Sequence, residues 1–341
     1  MLIPIRSYIP LFTSLSIIHD EQSRPLVLKR QDQFSSELGL FLKTLSPHIK
    51  FAEARDVDPP NDVMSHLKQK SWLVDLKPLC NFIEIVAEVN VDVDQLKELN
   101  ETSELDQAFI NECAFDEVRA GLDAALVLSE LAFPGCIHTF DGALVSQTHT
   151  TTLNAKRAFY ELLTQEDQPL WPKLKTLSLI QTLGWAQQIG FGAQAFASSR
   201  IPKALASLTH VVGRGPHNDS EALFRAVQGL EAFYCDGVGD LRRQLSEKSA
   251  IWLGRWDDNK NIVGQLYDVR SKFVHGSAPI EYWKYDEDAS WRGNEKAKVE
   301  HAYATIFAIR LLIASLQKCI SDSITELKWT FTADTQSQSN A

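Results

Sequence analysis

The 341-residue chain is 44% hydrophobic and 23% charged, enough apolar material for one or two globular domains, and a composition that excludes disordered and collagen-like chains. Its net charge of −10 argues against a protein that coats nucleic acid through a broad basic surface. The charge is uneven, however: residues 1–200 carry 17 Lys and Arg against 26 Asp and Glu, and residues 201–341 carry 17 against 18, so a local basic site fits only the near-neutral C-terminal part.

Met1 to Ile18 is apolar, but Arg6 lies inside it and Pro4 and Pro10 interrupt it, which points to a strand and not a signal peptide. In chain order the spacing predicts strands at 8–18, 25–29 and 82–91, a helix over 33–54, and a loop at 56–62 around Pro59-Pro60. A helix follows over 115–131, then a Gly/Thr/Ser loop at 135–150. Beyond it the spacing turns helical almost throughout, near 152–165, 172–189, 200–212, 219–235, 238–254, 260–275 and 295–325. Gly213-Arg-Gly-Pro216 is the clearest break, with Asp219 or Ser220 as the N-cap after it. An acidic, aromatic loop at 281–291 and a frayed polar tail at 332–341 complete the pattern. The expected fold class is α+β: a mixed N-terminal domain over 1–150, a helical region over 151–330 and a tail over 331–341, with no internal repeat.

No uninterrupted apolar run approaches the roughly 20 residues needed to span a bilayer, and five scattered cysteines with no C-x-x-C pair suggest neither a disulfide framework nor a zinc site. The expectation is a soluble protein of a reducing cytoplasm, with no membrane contact, no cofactor and no metal. Walker A, G-x-S-x-G, H-E-x-x-H and dinucleotide-binding patterns are all missing from the sequence. Asp92 and Asp94 lack further ligands at useful spacing and are expected on the surface.

The segment Leu266-Tyr-Asp-Val-Arg-Ser-Lys-Phe-Val-His-Gly276 stands out on a helical wheel. Arg270 falls inside the arc formed by Ile262, Val263, Leu266, Tyr267, Val269, Phe273 and Val274. A guanidinium there needs a carboxylate, an interface or a ligand phosphate, unless it snorkels to water. Glu231 sits at the edge of the apolar face of the preceding Leu223–Tyr234 pattern, so a Glu231–Arg270 pair is expected to orient the arginine. His275 occupies the last helical turn, where the macrodipole favours a cation, and Gly276 is placed to end the helix.

Three strings carry a resemblance: Leu223-Phe-Arg-Ala-Val-Gln-Gly-Leu-Glu-Ala-Phe233, Leu241-Arg-Arg-Gln-Leu-Ser-Glu-Lys-Ser-Ala-Ile-Trp-Leu253, and above all the 266–276 segment. In that order, followed by a loop and a long final helix, residues 205–325 resemble the HEPN domains, more specifically the ApeA-like HEPN group. The resemblance implies a bundle of four or five helices that dimerises and brings two Arg–His motifs together as one metal-independent RNA-cleaving site, in phage defence or as a toxin. Arg270 would then stabilise the phosphate and His275 would act as acid or base, with Glu231 orienting Arg270. Ser271 stands where the family most often has Asn, a departure that leaves it a supporting role. Lys272, Arg242, Arg243 and Lys248 are candidates for the RNA path, or else a solvated basic face. The expected partners are RNA, a second copy of the chain, and a cognate inhibitor or phage-derived trigger. The competing reading is a non-catalytic interaction module in which Arg270 and Glu231 only hold the bundle together. The loop at 214–219 is a capping turn or a ligand contact, and Trp252, Trp256, Trp283 and Trp291 serve packing or base stacking.

Overall fold

The computed structural model describes residues 1–13, 24–70, 80–139, 142–146, 150–155, 159, 162, 171–213, 219–237, 239–255, 262–277 and 295–330. Their architecture is α+β: an antiparallel sheet built from the N-terminal part, then a helical C-terminal region. The sheet strands are β1 (Leu2–Phe12), β2 (Ile49–Val57), β3 (Cys80–Asn90), β4 (Ala143–Ser146) and β5 (Thr150–Thr152), in the order β2-β3-β1-β4-β5. Helices α1 (Arg24–Leu45), α2 (Asn61–Lys70), α3 (Val93–Leu99) and α4 (Gln107–Ala132) are interleaved with them. The helical region contributes α5 (Leu179–Gln188), α6 (Arg200–Val212), α7 (Asp219–Tyr234), α8 (Leu241–Leu253), α9 (Ile262–Val274) and α10 (Glu295–Ser321).

The pleat of β1 and β3 sorts their side chains between two cores. Ile3, Ile5, Ile9 and Leu11 with Ile83, Ile85, Ala87 and Val89 join the main core, which α1 and α4 cover. Tyr8, Cys80 and Phe82 face the other way, against Val63, Met64 and Leu67 of α2. The main core is contiguous from the sheet to the last helix, from Ile3 to Ile320. Within it α1 lies so close over β2 that a Cβ on Gly39 would stand 2.7 Å from the Ala52 carbonyl oxygen, so only glycine fits.

Two expected elements exchange identity. The run at 25–29, expected as a strand, opens α1, where Pro25 is tolerated because first-turn N–H groups have no helical partner. The helix expected over 33–54 stops at Leu45: Pro47 cannot continue it, and 49–57 alternates as β2 against β3. The helix expected over 172–189 begins only at Leu179. Its N-cap Ser178 accepts from the N–H groups of Ile180 and Gln181 at 3.2 and 3.3 Å, and Glu37 of α1 accepts from the Ser178 hydroxyl and the Ile180 N–H at 2.8 and 3.1 Å. The loop expected at 135–150 contains β4, and 150–152 is strand β5 at the start of the helix expected over 152–165. The segments at 281–291, 332–341 and 214–218, with Trp256, Trp283 and Trp291, lie outside the described residues.

Helix α10 contains a 23-residue stretch, Val299–Ser321, long and apolar enough to cross a membrane, yet of its apolar 18-residue window, with mean hydropathy 1.4, 83% is buried within the fold. It is the central core helix and touches α4 through α9. Its polar side chains are therefore answered by protein. Gln317 accepts from the Lys175 N–H at 2.8 Å and donates to the carbonyls of Lys175 and Leu131 at 2.7 and 2.8 Å. Arg310 donates to the Pro172 carbonyl at 2.9 Å, and Ser315 bonds the Tyr234 hydroxyl at 2.6 Å.

The second face of the sheet carries a charge cluster. Buried Glu84 accepts from Tyr8 at 2.9 Å and from Arg55 Nε at 2.7 Å, with Arg55 Nη2 at 2.6 Å and Arg6 at 3.5 Å. Burial alone pushes this carboxyl upward, and the hydrogen bonds from Arg55 and Tyr8, with the charges of Arg55 and Arg6, overcome it and hold Glu84 below the usual carboxylate range. A carboxylate depressed on folding stabilises the fold above its unfolded value, and the contribution is lost as pH falls through the folded value. Urea unfolding of wild type and Glu84→Gln should therefore converge in acid and diverge toward neutrality. Tyr8→Phe should cost about 1.5–3 kcal/mol at neutral pH, as expected for a buried hydrogen bond to a charged acceptor.

Candidate functional site

Helices α7, α8 and α9 pack against α10, and the residues singled out from sequence fall on this group. Val263 and Leu266 are the buried anchors of α9, and they turn Tyr267 and Arg270 toward α7. Arg270 Nη2 lies 3.9 Å from Glu231 Oε2, with 27% and 20% of the two side chains exposed. The guanidinium also stands over the Phe224 ring, 5.9 Å from its centroid. The expected pairing of Glu231 and Arg270 is thus present, half-buried and open at one edge.

The pair is under-bonded. At 3.9 Å the charges attract without forming a hydrogen bond, and Glu231 Oε1 and Arg270 Nε are buried without a hydrogen-bond partner among the described residues, while the Tyr267 hydroxyl interacts with Glu231 and Cys235. Tyr267 lies close enough to Glu231 and Cys235 to feel both. Burial first, then the Glu231 and Cys235 charges, raise its hydroxyl well above the ordinary tyrosine range. Burial likewise pushes the Cys235 thiol up to about 11, with Glu231 adding to the effect, which disfavours the thiolate. The group therefore combines one fixed cation with a guanidinium N–H that no described neighbour takes up.

At the other end of α9 the chain closes in a Schellman turn. Ser277 N–H donates to the Lys272 carbonyl at 2.8 Å and Gly276 N–H to the Phe273 carbonyl at 3.1 Å. Gly276 has φ +68°, a left-handed conformation that suits glycine. His275 is the C-cap residue, and its side chain is exposed, as are those of Ser271 and Lys272. Five helical residues separate His275 from Arg270, which is roughly 140° of rotation and about 7.5 Å along the axis. Within one chain, arginine and histidine leave α9 on different sides. Phe273, between them, packs its ring against His301 of α10 at 6.1 Å.

The proposed RNA-path cations do not form one surface. Arg243 is exposed and pairs with Asp240 and Glu247 at 2.9 and 3.9 Å. Arg242 pairs with Asp268 of α9 at 3.4 Å and lies over Gly264, where a Cβ would collide with its guanidinium. Lys248 needs correction: it is neither on a solvated face nor on an RNA path but 1% exposed, bonded to Asp236 at 2.6 Å and Gln244 at 3.1 Å and lying over the Trp329 ring. Burial, then the nearby Arg200 charge, lower its ammonium below the ordinary lysine range. Lys272 is the exposed candidate that makes no ion pair among the described residues.

Sequence reasoning missed Asp236, Arg200 and Phe224. Arg200 closes the end of α7 by donating to the carbonyls of Ala232 and Cys235 at 3.2 and 2.7 Å, and it pairs with Asp236. Asp92 is the N-cap of α3, accepting from the Gln95 N–H at 3.0 Å. Trp252 is a packing residue, edge-on to Phe233 and Trp329 at 5.6 and 6.0 Å. Among the described residues no three His, Cys, Asp or Glu side chains converge in a metal-binding arrangement. No known protein family, curated protein or solved structure matches the chain.

If the 3.9 Å contact couples the two charges, Arg270→Ala should destabilise the protein by about 1–2 kcal/mol, between the values for exposed and fully buried pairs. The double variant Arg270→Ala/Glu231→Ala should recover part of that loss, because it leaves no orphaned carboxylate. A double-mutant cycle by urea unfolding reads the coupling directly.

Proposed function

We propose that the protein is a metal-independent endoribonuclease of the HEPN type, working as a dimer whose composite site joins the α9 helices of two copies. The observation that carries this reading is the division of labour on α9: Glu231 holds Arg270 with donors to spare, while the C-cap presents His275 to solvent. Arginine and histidine face different sides of one helix, so a second copy supplies the facing residues. Val274, Val299 and Tyr303, with 43%, 43% and 68% exposure, give this end of α9 and α10 an apolar surface for that copy.

In the reaction, one imidazole takes the proton of the RNA 2′-hydroxyl and the 2′-oxygen attacks the adjacent phosphorus. The bond to the 5′-oxygen breaks, and that oxygen receives a proton from the second imidazole, leaving a cyclic phosphate and a free 5′-hydroxyl. Arg270 faces the phosphate as negative charge accumulates on its oxygens. Ser271 and Lys272, exposed beside the motif, contact the RNA backbone. The acidic N-terminal part acts as the control element, in a cytoplasmic defence or toxin setting whose partner is an inhibitor or a phage-derived trigger.

The test is incubation of the purified full chain with total cellular RNA in chelator, with analysis of fragment ends. Wild type should leave cyclic phosphates, and His275→Ala should cut at least about 100-fold more slowly while keeping its melting temperature and oligomeric state. Cutting by His275→Ala at the wild-type rate removes the assigned role. A wild type that does not cut but captures a protein partner through the Val274–Tyr303 surface favours the interaction module.

A further inference from the structure

Among the described residues, the sheet ends on an open edge at β2. Strand β2 bonds β3 on one side, and among the described residues no strand pairs with its other side. Unpaired edges invite another strand, and proteins usually blunt them with charge and bulges. β2 has a bulge at its start, between Ile49 and Phe51, and then pairs regularly from Phe51 to Val57. Phe51, Glu53, Arg55 and Asp56 are exposed. Glu53 makes no ion pair within 4.0 Å among the described residues, and within its own copy its charge acts on Arg55, two residues along the same strand.

A twofold axis that brings two β2 edges together antiparallel must run perpendicular to the sheet, and it therefore passes through a residue-centred register. Centred on Ala54, the register places Glu53 opposite Arg55, Phe51 opposite Val57 and Ala52 opposite Asp56, each pair occurring twice. Lys50, in the bulge, and Asp58, just past the strand, carry opposite charges. Centred on Glu53 or Arg55, like charges meet at the axis. Opposed pairs of unlike charge and of apolar side chains stabilise such a ladder, and like charges directly opposite destabilise it. The charges that keep foreign strands away thus fit this strand reversed.

We propose that β2 is a self-association edge: two copies of the chain join β2 to β2, antiparallel and centred on Ala54, into one continuous sheet. The α1 helices of both copies then lie on the same side, since α1 covers the Ala52 face and the axis preserves faces. This contact involves no residue of the α9 end and does not depend on the RNA-cleavage reading.

Cysteine cross-linking of the full chain tests the register. Opposed residues in an antiparallel pair have Cα atoms about 4.5–5.5 Å apart, within disulfide reach. Ala54→Cys should form a covalent dimer under mild oxidation with copper phenanthroline. Ala52→Cys, displaced from its own copy by four residues, should cross-link no more than the parent chain with its native cysteines. Independently, Glu53→Lys should weaken self-association about tenfold or more in sedimentation equilibrium, since each dimer gains two like-charge pairs, and Glu53→Asp should preserve it. A wild type that sediments as a monomer, an Ala54→Cys chain that cross-links no better than Ala52→Cys, or a Glu53→Lys chain of unchanged affinity each overturns the proposal.

Discussion

Helix α10 must hide its polar atoms from water. It runs through the middle of the molecule, buried along most of its length, so each polar group on it has to meet a protein partner or forfeit its hydration. Gln317 meets that demand by treating the Lys175 backbone as a strand would, bonding both its N–H and its carbonyl. This holds 173–178 extended and delays α5 until Ser178 can cap it. Ser315 meets Tyr234, which fixes the end of α7 and hence the height of Glu231 above the core. Phe233, Tyr234, Trp252 and Trp329 fill the space beside this contact.

On that frame, the Glu231–Arg270 pair and the closing turn of α9 have contrasting character. The turn is fully bonded and keeps His275 at a defined place on the surface. The pair is held in position by helix packing yet leaves buried donors and acceptors unused. In the proposed reading, a charged ligand's oxygens would take up the Arg270 donor that the pair leaves unused.

Much of this was legible in the sequence where periodicity and breakers agreed. The spacing over 200–212 matches α6 to the residue, and the wheel that put Arg270 on an apolar arc anticipated its contact with Glu231, because both residues interrupt otherwise clean helical faces. Three failures have physical causes. The apolar spacing over 33–54 hides the stop at Pro47, so from sequence strand β2 reads as the end of a helix. The 25–29 run is rich in Leu and Val, which favour strands locally, but Val27 belongs to a helical stripe with Gln31, Phe34 and Leu38. Lys248 was grouped with Arg242 and Arg243 by charge alone. Its spacing from Leu245 and Trp252 puts it on the packed side of α8, and its partner Asp236 belongs to the turn before that helix.

Glu37 belongs to α1, on the sheet, yet its carboxylate completes the N-terminus of α5, in the helical region. One side chain therefore makes the start of α5 conditional on α1 being folded and in place. Loosening α1 strips a cap from α5, and α5 borders both α4 and α10. The sheet layer and the bundle are therefore tied by a hydrogen-bonded contact as well as by their shared core, so that loosening α1 weakens the start of α5.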